Sequence, residues 1–330
     1  MSGVLVTGGA GFIGSHLVER LVESGEDVTV FDMSPPTEAR NLRDAFPHIR
    51  YIEGDIRNPE AVHAAFESRP HLVYHLASVV GVQHYVADPL AVVDVVVGGT
   101  RSILREAQAT DARVVVASTS EVFGRNPAVP WDEEADRVLG STSVDRWSYA
   151  SSKAVAEHMT FALARQGLPA SVVRFFNAYG PRQAPNFVVS LSVRKVLRGE
   201  RPLVFDDGTQ TRCFTYVTDV LDGLVAAGTH PAALGEAFNL GNPVETPMRE
   251  VVERILHLAR SDLEPEIFDT GARYGERYED VPRRVPGVEK ARRLLGWQAT
   301  THLDQGLAAT LDWARANPWW LQAEAAPPGG

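Results

Sequence analysis

Apolar runs alternate with amphipathic stretches along the first half of the chain. The runs are rich in β-branched residues, as buried strands are, and they cover residues 4–7, 27–31, 49–53, 72–76, 113–117 and 170–175. Between them, apolar positions recur at helical spacing over residues 13–24, 59–66, 89–110 and 149–166. Strands that alternate with helices form βαβ units, and such units build a parallel sheet. The pattern therefore predicts an α/β fold with a doubly wound parallel sheet.

The regular alternation of strands and helices ends after about residue 181. Elements become shorter and mixed, and Gly and Pro become more frequent. We therefore predict one domain over residues 1–180 and a smaller mixed α/β lobe over residues 181–322, with some segments exchanged between the two. Residues 323–330 are small and rich in Pro and Gly, so we expect a disordered tail there.

The overall composition narrows the possible functions. Of the 330 residues, 44% are hydrophobic and 22% are charged, and the net charge is −10, so we expect no nucleic-acid surface. Cys213 is the only cysteine, which excludes a disulfide within the chain, and we predict no metal site. No apolar run approaches the roughly 18 residues that span a bilayer, and residues 1–14 lack the pattern of a signal peptide. We expect a cytoplasmic protein that does not bind membranes.

A glycine-rich loop follows the first predicted strand. Gly9, Gly11 and Gly14 fit the pattern G-x-G-x-x-G, and Gly8, Gly11 and Gly14 fit a wider variant. Glycines let the backbone approach a pyrophosphate, and the N-terminus of the next helix offers N–H groups to it. Asp32 ends the second strand, 18 residues after Gly14, where a carboxylate binds both ribose hydroxyls and repels a 2′-phosphate. These residues predict a Rossmann fold that prefers NAD to NADP.

A second group of residues offers acid–base chemistry. Tyr149 and Lys153 are four positions apart in a predicted helix, which places them on one face. We expect the ammonium, together with a cationic nicotinamide, to lower the pKa of the phenol. Thr119 and Glu121 follow the fifth strand, at the edge of the sheet where ligands bind. The Thr119 hydroxyl can donate to an oxygen that becomes a carbonyl. Glu121 suggests proton transfer at a neighbouring carbon, with a solvated loop residue as the alternative.

Together these residues resemble the extended short-chain dehydrogenase/reductase family over nearly the whole chain. The shared blocks are the Tyr149/Lys153 pair and residues 7–14 (TGGAGFIG), 54–56 (GDI), 75–78 (HLAS) and 174–182 (RFFNAYGPR). The resemblance implies that Asp55 and Ile56 border the adenine and that Asn177 binds the diphosphate of a nucleotide sugar. The implied cofactor contacts are Gly8, Gly11, Phe12, Ile13, Gly14, Asp32, Asp55, Ile56, Ala77, Tyr149 and Lys153.

Three segments resemble, more narrowly, the UDP-glucuronate decarboxylases of this family. They are residues 118–124 (STSEVFG), 239–243 (NLGNP) and 283–291 (RRVPGVEKA). Phe123 stands for the usual tyrosine, and Gly287 for the usual Asp or Ser. In dTDP-glucose 4,6-dehydratases an aspartate that helps to expel a hydroxyl usually occupies the position of Ser120. Its absence argues against dehydration.

The narrower resemblance assigns roles to the remaining residues. Arg284 is expected at the active site, where it orients a substrate carboxylate or the departing CO₂. Arg212, within residues 210–214 (QTRCF), is expected to hold the diphosphate, which suits the bidentate fork of a guanidinium. The predicted substrate contacts are Asn177, Arg212 and Arg284. The predicted catalytic residues are Thr119, Ser120, Glu121, Tyr149, Lys153 and Arg284.

The implied function is NAD-dependent decarboxylation of a nucleotide sugar. Tyr149, as phenolate, takes the C4 hydroxyl proton of UDP-glucuronate while hydride passes to NAD. The resulting 4-ketone lets the C5 carboxylate leave as CO₂, with Glu121 and Ser120 assisting protonation or ordering water near C5. The product is UDP-4-keto-xylose, UDP-xylose or both. We also expect a homodimer paired through a four-helix bundle of the helices at 89–110 and 149–166.

Two alternatives stay open at this point. One is a 4,6-dehydratase or 4-epimerase that acts on a dTDP-, UDP- or GDP-sugar. The other is an NAD-sensing regulator without activity on the same fold, since a fold does not define a function. The intact Tyr149, Lys153 and Thr119 argue against the regulator.

Overall fold

Seven parallel strands form the central sheet of the protein. The structure is a computed structural model that describes residues 3–81, 88–269 and 281–322. The strands of this sheet are β1 (Val4–Thr7), β2 (Val28–Asp32), β3 (Ile49–Glu53), β4 (Leu72–His75), β5 (Arg113–Thr119), β6 (Ala170–Phe175) and β11 (Ala237–Leu240). Their order is β11-β6-β5-β4-β1-β2-β3, and all neighbours are parallel. The direction of winding reverses between β1 and β4, which confirms the predicted doubly wound Rossmann sheet.

Helices cover both faces of this sheet and continue through the second half of the chain. They are α1 (Phe12–Glu23), α2 (Pro59–Phe66), α3 (Pro89–Val93), α4 (Thr100–Thr110), α5 (Arg146–Ala164), α6 (Val188–Leu197), α7 (Val217–Thr229), α8 (Met248–Ala259), α9 (Glu289–Leu295), α10 (Leu303–Ala316) and α11 (Pro318–Gln322). Short 3₁₀ turns lie at Arg40–Leu42, Phe46–His48, Ser120–Phe123 and Pro231–Ala233. Among the described helices, none is long and apolar enough to cross a membrane.

Except at the edge strand β3, both faces of the sheet are buried, which explains why the other strands read as continuous apolar runs. Side chains alternate between the two faces along a strand. Val4 and Val6 of β1 pack in one apolar core with Leu17 of α1. Leu5, which lies between them, packs in a second core with Ile103 of α4. The two cores hold helices on opposite faces of the same sheet.

Two elements of the site extend beyond their predicted limits. β5 continues to Thr119 because its last residues pair with β6, with Thr119 opposite Phe175. α5 begins at Arg146, so that Tyr149 lies inside the helix rather than at its first position. Both extensions carry catalytic candidates on regular backbone.

The stretch predicted as one helix over residues 89–110 contains a π-helical segment, Asp94–Gly99, between α3 and α4. Gly99 lies against Ile56, and a Cβ on this glycine would collide with the isoleucine side chain. A glycine is therefore needed where this helix passes the loop that follows β3. Wider turns of this kind are frequent beside functional sites.

The chain after residue 181 contributes to two parts of the structure. Its strand β11 completes the central sheet beside β6. Its other strands take part in three two-stranded sheets. These pair β10 (Thr215–Tyr216) with β7 (Ala178–Tyr179), which precedes this part of the chain, β8 (Leu203–Phe205) with β13 (Glu266–Phe268), and β9 (Thr211–Cys213) with β12 (Glu245–Pro247). Helices α6, α8 and α10 enclose a third apolar core. The domain boundary at residue 180 stays a prediction, and the predicted tail at 323–330 lies outside the described residues.

Candidate active site

The glycine-rich loop connects β1 to α1 at the point where the winding of the sheet reverses. Gly8 adopts a left-handed backbone conformation (φ +72°), which favours glycine. A Cβ on Gly14 would collide with the carbonyl oxygen of Gly8. Gly11 precedes α1, so Phe12 and Ile13 form its first turn, whose N–H groups have no acceptor within the helix. The loop therefore has the geometry of a pyrophosphate-binding turn.

Asp32 faces this loop from the end of β2 and is buried. One of its carboxylate oxygens accepts a hydrogen bond from the backbone N–H of Ala10 at 2.9 Å, and the other accepts from Ser34 N–H at 2.9 Å. These contacts fix the orientation of the carboxylate beside the glycine-rich loop. Each oxygen keeps a further lone pair with which it can accept a ribose hydroxyl.

The preference for NAD can be tested at Asp32. We expect Asp32→Ala to weaken NAD far more than NADP, because the ribose hydroxyls lose their acceptor and a 2′-phosphate loses a repelling charge. Titration of each dinucleotide into the purified variant measures the two affinities. Asp27→Ala, at an exposed residue just before the same strand, is the matched control. An unchanged ratio of the two affinities in Asp32→Ala would place the acidic partner elsewhere.

The remaining cofactor candidates lie where the neighbouring strands end. Asp55 follows β3, and its carboxylate pairs with the Arg57 guanidinium at 2.6 Å. Ile56 is buried. Ala77 follows β4, and its N–H donates to the Thr7 hydroxyl at 3.2 Å. The structure thus brings all three residues to the same edge of the sheet as the glycine-rich loop, and their contacts with adenine and cofactor stay predictions.

Tyr149 and Lys153 share one face of α5, as their spacing predicts. The Lys153 ammonium is 5.9 Å from the centre of the tyrosine ring and donates to the Ala117 carbonyl at 2.8 Å. The phenol is hydrogen-bonded to the hydroxyls of Ser78 and Thr119. The tyrosine and lysine side chains are both buried. Helix α5 and the carboxyl ends of β4 and β5 therefore bring three of the predicted catalytic residues together.

The pKa of Tyr149 departs from the expectation of a lowered value. Burial raises this pKa above its ordinary value, and the negative charge of Glu121 raises it further. Hydrogen bonds from Ser78 and Thr119 act in the opposite direction and are weaker. Among the groups of the protein itself desolvation of the phenolate dominates, so the lowering expected from the ammonium together with a cationic nicotinamide stays a prediction.

A partly buried charge cluster lies beside Tyr149. Glu121, in the 3₁₀ turn after β5, forms ion pairs with Arg284 and, at 3.4 Å, with Arg146. Burial acts to raise the pKa of Glu121, but the charges of Arg284 and Arg146, with a smaller contribution from Arg212, bring it down to about 2. The carboxylate is therefore ionised at neutral pH, and the alternative of a solvated loop glutamate does not describe it.

Arg146 is a site residue that the sequence analysis missed. It lies on α5 three positions before Tyr149, and residues three apart are neighbours on a helix surface. The same spacing argument that pairs Tyr149 with Lys153 could therefore have found it. Ser78 was also given no role, although it lies within one of the shared blocks. Its contact with Tyr149 depends on how the loop after β4 meets α5, which no local pattern shows.

The predicted diphosphate residues lie on adjacent segments. Asn177 follows β6 in a left-handed conformation (φ +36°), and its side-chain amide donates to the Cys213 carbonyl at 3.4 Å. Arg212, on β9, is buried, and its guanidinium donates to the Thr211 carbonyl at 2.7 Å. Ser120 is buried in the same 3₁₀ turn as Glu121. Arg212 thus acts on Glu121 through its charge, Ser120 precedes Glu121 in the chain, and Asn177 contacts the residue that follows Arg212. Their roles stay predictions.

A Tyr/Lys pair at the carboxyl edge of a Rossmann sheet, beside a pyrophosphate-binding turn, defines a dinucleotide-dependent oxidoreductase site. Sequence comparison agrees with this class, because residues 4–241 match the profile of the NAD dependent epimerase/dehydratase family. The chain belongs to this family. The match confirms both the family resemblance and NAD as the predicted cofactor.

Two curated relatives are similar to the chain over most of its length. The UDP-N-acetyl-alpha-D-glucosaminuronate decarboxylase of Bacillus cytotoxicus is 36% identical over 314 residues, which cover 94% of this chain and 97% of that protein. The UDP-glucuronic acid decarboxylase 1 of Xenopus tropicalis is 34% identical over 317 residues, which cover 94% of this chain and 72% of that protein. Both are named as decarboxylases of UDP-linked uronic acids.

Solved structures show the same fold. The UDP-glucose 4-epimerase of Thermotoga maritima, solved with UDP-glucose, superposes with a TM-score of 0.87 at 30% identity and covers 96% of this chain and 99% of its own. MoeE5, solved with UDP-glucuronic acid and NAD, superposes with a TM-score of 0.83 at 31% identity and covers 96% and 100%. These superpositions confirm the predicted fold class.

Proposed function

We propose that this protein is an NAD-dependent decarboxylase of UDP-hexuronates, with UDP-glucuronate as its substrate. The observation that carries the proposal is the grouping of Arg146, Arg212 and Arg284 around Glu121, beside Tyr149. Three arginines against one carboxylate leave a surplus of positive charge, in a chain whose net charge is −10. Such a site favours a substrate that brings its own anions. A UDP-hexuronate brings a diphosphate and a C5 carboxylate.

The first chemical step is oxidation at C4 of the sugar. NAD supplies the hydride acceptor and a positive charge near the phenol when it is bound. Tyr149, as phenolate, accepts the C4 hydroxyl proton. The positive charge of the buried Lys153 ammonium stabilises the phenolate form before this transfer. Thr119, which is hydrogen-bonded to the same phenol, is placed to donate to the C4 oxygen as it becomes a carbonyl. Tyr149, Lys153 and Thr119 together therefore remove one proton from the C4 oxygen of the sugar and stabilise that oxygen as it becomes a carbonyl.

Loss of CO₂ follows from the new ketone. With a carbonyl at C4 and a carboxylate on C5, the substrate is a β-keto acid, and the electrons of the breaking bond are delocalised into the carbonyl. Arg284 and Arg146 orient the carboxylate through their charge. Glu121 is ionised, so it orders the arginines and water near C5 rather than supplying a proton of its own. Protonation of C5 by that water gives UDP-4-keto-xylose. Return of the hydride taken up in the first step, together with the proton held by Tyr149, would then reduce the 4-ketone to UDP-xylose.

The deciding experiment is incubation of the purified protein with NAD and each of three sugar nucleotides. We expect UDP-glucuronate to lose CO₂, which mass spectrometry of the products detects directly. UDP-N-acetylglucosaminuronate is the second candidate, because a relative at 36% identity is named as its decarboxylase. UDP-glucose tests the 4-epimerase alternative, which the similarity to the Thermotoga maritima epimerase favours. Formation of UDP-galactose without any decarboxylation would replace the proposal by that alternative.

A homodimer is part of this proposal. Helices α3 and α5 pack side by side, and each exposes an apolar side chain: Leu90 is 75% exposed on α3 and Val155 is 44% exposed on α5. Pairing of these helices with those of a second copy would form a four-helix bundle and cover both side chains. We further propose that this dimer acts in the cytoplasm.

The dimer gives a direct prediction. Light scattering at micromolar concentration should give twice the mass of one chain, and Leu90→Asp/Val155→Asp should give the monomer mass, because charges at a buried interface are costly. Ile267→Asp, at a residue that is 55% exposed on β13, is the matched control and should leave the dimer intact. A monomeric wild-type protein would contradict the prediction.

A further inference from the structure

A buried network of charges lies beneath the Tyr149/Lys153 pair, and none of the steps above uses it. At its centre is Glu157, on α5 one helical turn after Lys153. Its carboxylate accepts from the Arg174 guanidinium through Nε at 2.8 Å and Nη2 at 2.7 Å. The Ser118 hydroxyl donates to the same carboxylate at 2.5 Å. All three side chains are buried, so these charges interact with little screening by water.

Through Ser118, the network is connected to the strand residues that contact Lys153 and Tyr149. Ser118 lies between Ala117, whose carbonyl accepts from the Lys153 ammonium at 2.8 Å, and Thr119, which is bonded to the Tyr149 phenol. Glu157 is therefore tied to the strand that supports both catalytic side chains, and it is on the same helix as they are. One carboxylate joins β5, β6 and α5 at the point where they meet.

The electrostatic role of Glu157 follows from its position. Burial lowers the pKa of Lys153 to about 8, and the negative charge of Glu157 acts against this lowering. An ammonium beside the phenol assists catalysis only while it keeps its proton. From this geometry we propose that Glu157 is a positioning residue that keeps Lys153 protonated at neutral pH and holds the end of β5 in place, while Arg174 limits how strongly it does so. The catalytic consequence rests on the proposed function, whereas the effect on the lysine does not.

Other ionisable groups surround this lysine. Tyr149 lies on the same helix. His75 faces it from β4 as a neutral imidazole, since burial and then the Lys153 charge lower the pKa of this histidine to about 3. The remaining charged groups do not act on the lysine directly. Arg174 of β6 and Arg137 of the loop after β5 pair with Glu157. Glu121 acts on Tyr149. Glu157 is the carboxylate that acts directly on the ammonium.

The composition of the chain makes a direct measurement possible. Its only lysines are Lys153, Lys195 and Lys290. Protein labelled with ¹³C at the lysine side chains, saturated with NAD, should give three side-chain signals, and Lys153→Arg assigns the catalytic one. The pKa of Lys153 is then read from a pH titration by NMR. Lys195 and Lys290 pair with surface carboxylates, at 3.7 Å from Glu200 and 2.6 Å from Glu236, and serve as internal controls.

We expect an ordered series of Lys153 pKa values. Glu157→Gln should lower the value by about one unit or more, because the favourable charge is lost and Arg174 stays. Arg174→Gln should raise it, because Glu157 then loses the closer of its two cationic partners. Glu157→Gln/Arg174→Gln, which removes both charges, should fall between wild type and Glu157→Gln. Glu157→Asp should recover part of the loss, and Ser118→Ala, which removes a hydrogen bond without a charge, should change the value least.

The series separates an electrostatic role from a merely structural one. A Lys153 pKa that is unchanged in both Glu157→Gln and the double variant would overturn the inference, as would a rise in either. If Glu157→Gln does not fold because Arg174 is left as a buried charge, the double variant alone decides on the same criterion. In active protein, the alkaline limb of NADH formation should move to lower pH in Glu157→Gln, since Lys153 loses its proton earlier. The NMR result stands without any substrate, so failure of the proposed function does not affect it.

Discussion

Replacement of Tyr149 by phenylalanine is expected to lower the rate of C4 oxidation by roughly 10²–10⁴-fold, the usual contribution of a positioned acid–base group. The ring itself packs against Val92, Val96 and Ala156, and phenylalanine preserves these contacts. Binding of NAD and of the nucleotide sugar should therefore change little. The measurement is single-turnover formation of NADH with UDP-glucuronate, together with titration of NAD and of UDP-glucuronate into the variant.

A matched variant controls for the loss of a phenolic hydroxyl as such. The Tyr179 hydroxyl donates to the Leu303 carbonyl at 3.2 Å, in the part of the chain that packs around α10. Tyr179→Phe removes one comparable hydrogen bond, worth about 1 kcal/mol of stability, and should leave NADH formation near the wild-type rate. If Tyr149→Phe kept more than a small fraction of that rate, the proton would have to leave through another group.

The second large effect is expected at the charge cluster, where it separates decarboxylation from oxidation. Arg284→Ala removes a buried cation that pairs with Glu121 and is placed to orient the substrate carboxylate. Loss of such a charge-assisted hydrogen bond costs about 2–3 kcal/mol, or roughly thirtyfold or more in rate. CO₂ release should slow by this factor, and NADH formation should slow less. Glu121→Gln, which keeps the size of the side chain but not its charge, should show the same imbalance.

Both rates are measured in one single-turnover experiment with UDP-glucuronate, by NADH absorbance and by trapping of CO₂. Arg283→Ala is the control, because this neighbour is exposed and pairs with Glu245 outside the cluster. Parallel decreases of the two rates in Arg284→Ala would mean that the cluster only positions the sugar. Unchanged rates would remove the main mechanistic support for decarboxylation.

The proposed roles of the two carboxylates differ because their surroundings differ. Glu121 is paired with arginines that the substrate is expected to meet, whereas Glu157 is paired with Arg174 beneath the site and acts on Lys153. The Glu157 pair is buried and the Glu121 pair is partly buried, and in both, removal of one partner leaves an uncompensated charge. Variants that change one charge and variants that change both are therefore needed to separate catalysis from folding.

Much of the fold could be predicted from the sequence because the sheet is buried on both faces. Strands in such a sheet read as apolar runs, and β1 and β6 lie where these runs lie. Ends of elements were less predictable. The last residues of β5 are held by pairing with β6, and that pairing joins residues far apart in the chain.

Local spacing determined the glycine-rich loop, the position of Asp32 at the end of β2, and the shared face of Tyr149 and Lys153. Each depends on backbone geometry over a few residues or on the regular order of a βαβ unit. The tertiary structure alone decided which charges meet. Glu121 and Arg284 are 163 positions apart and form an ion pair, and burial rather than the adjacent ammonium sets the direction of the Tyr149 pKa. Desolvation and long-range charge pairing depend on how distant segments pack, and a linear pattern of residues does not contain that information.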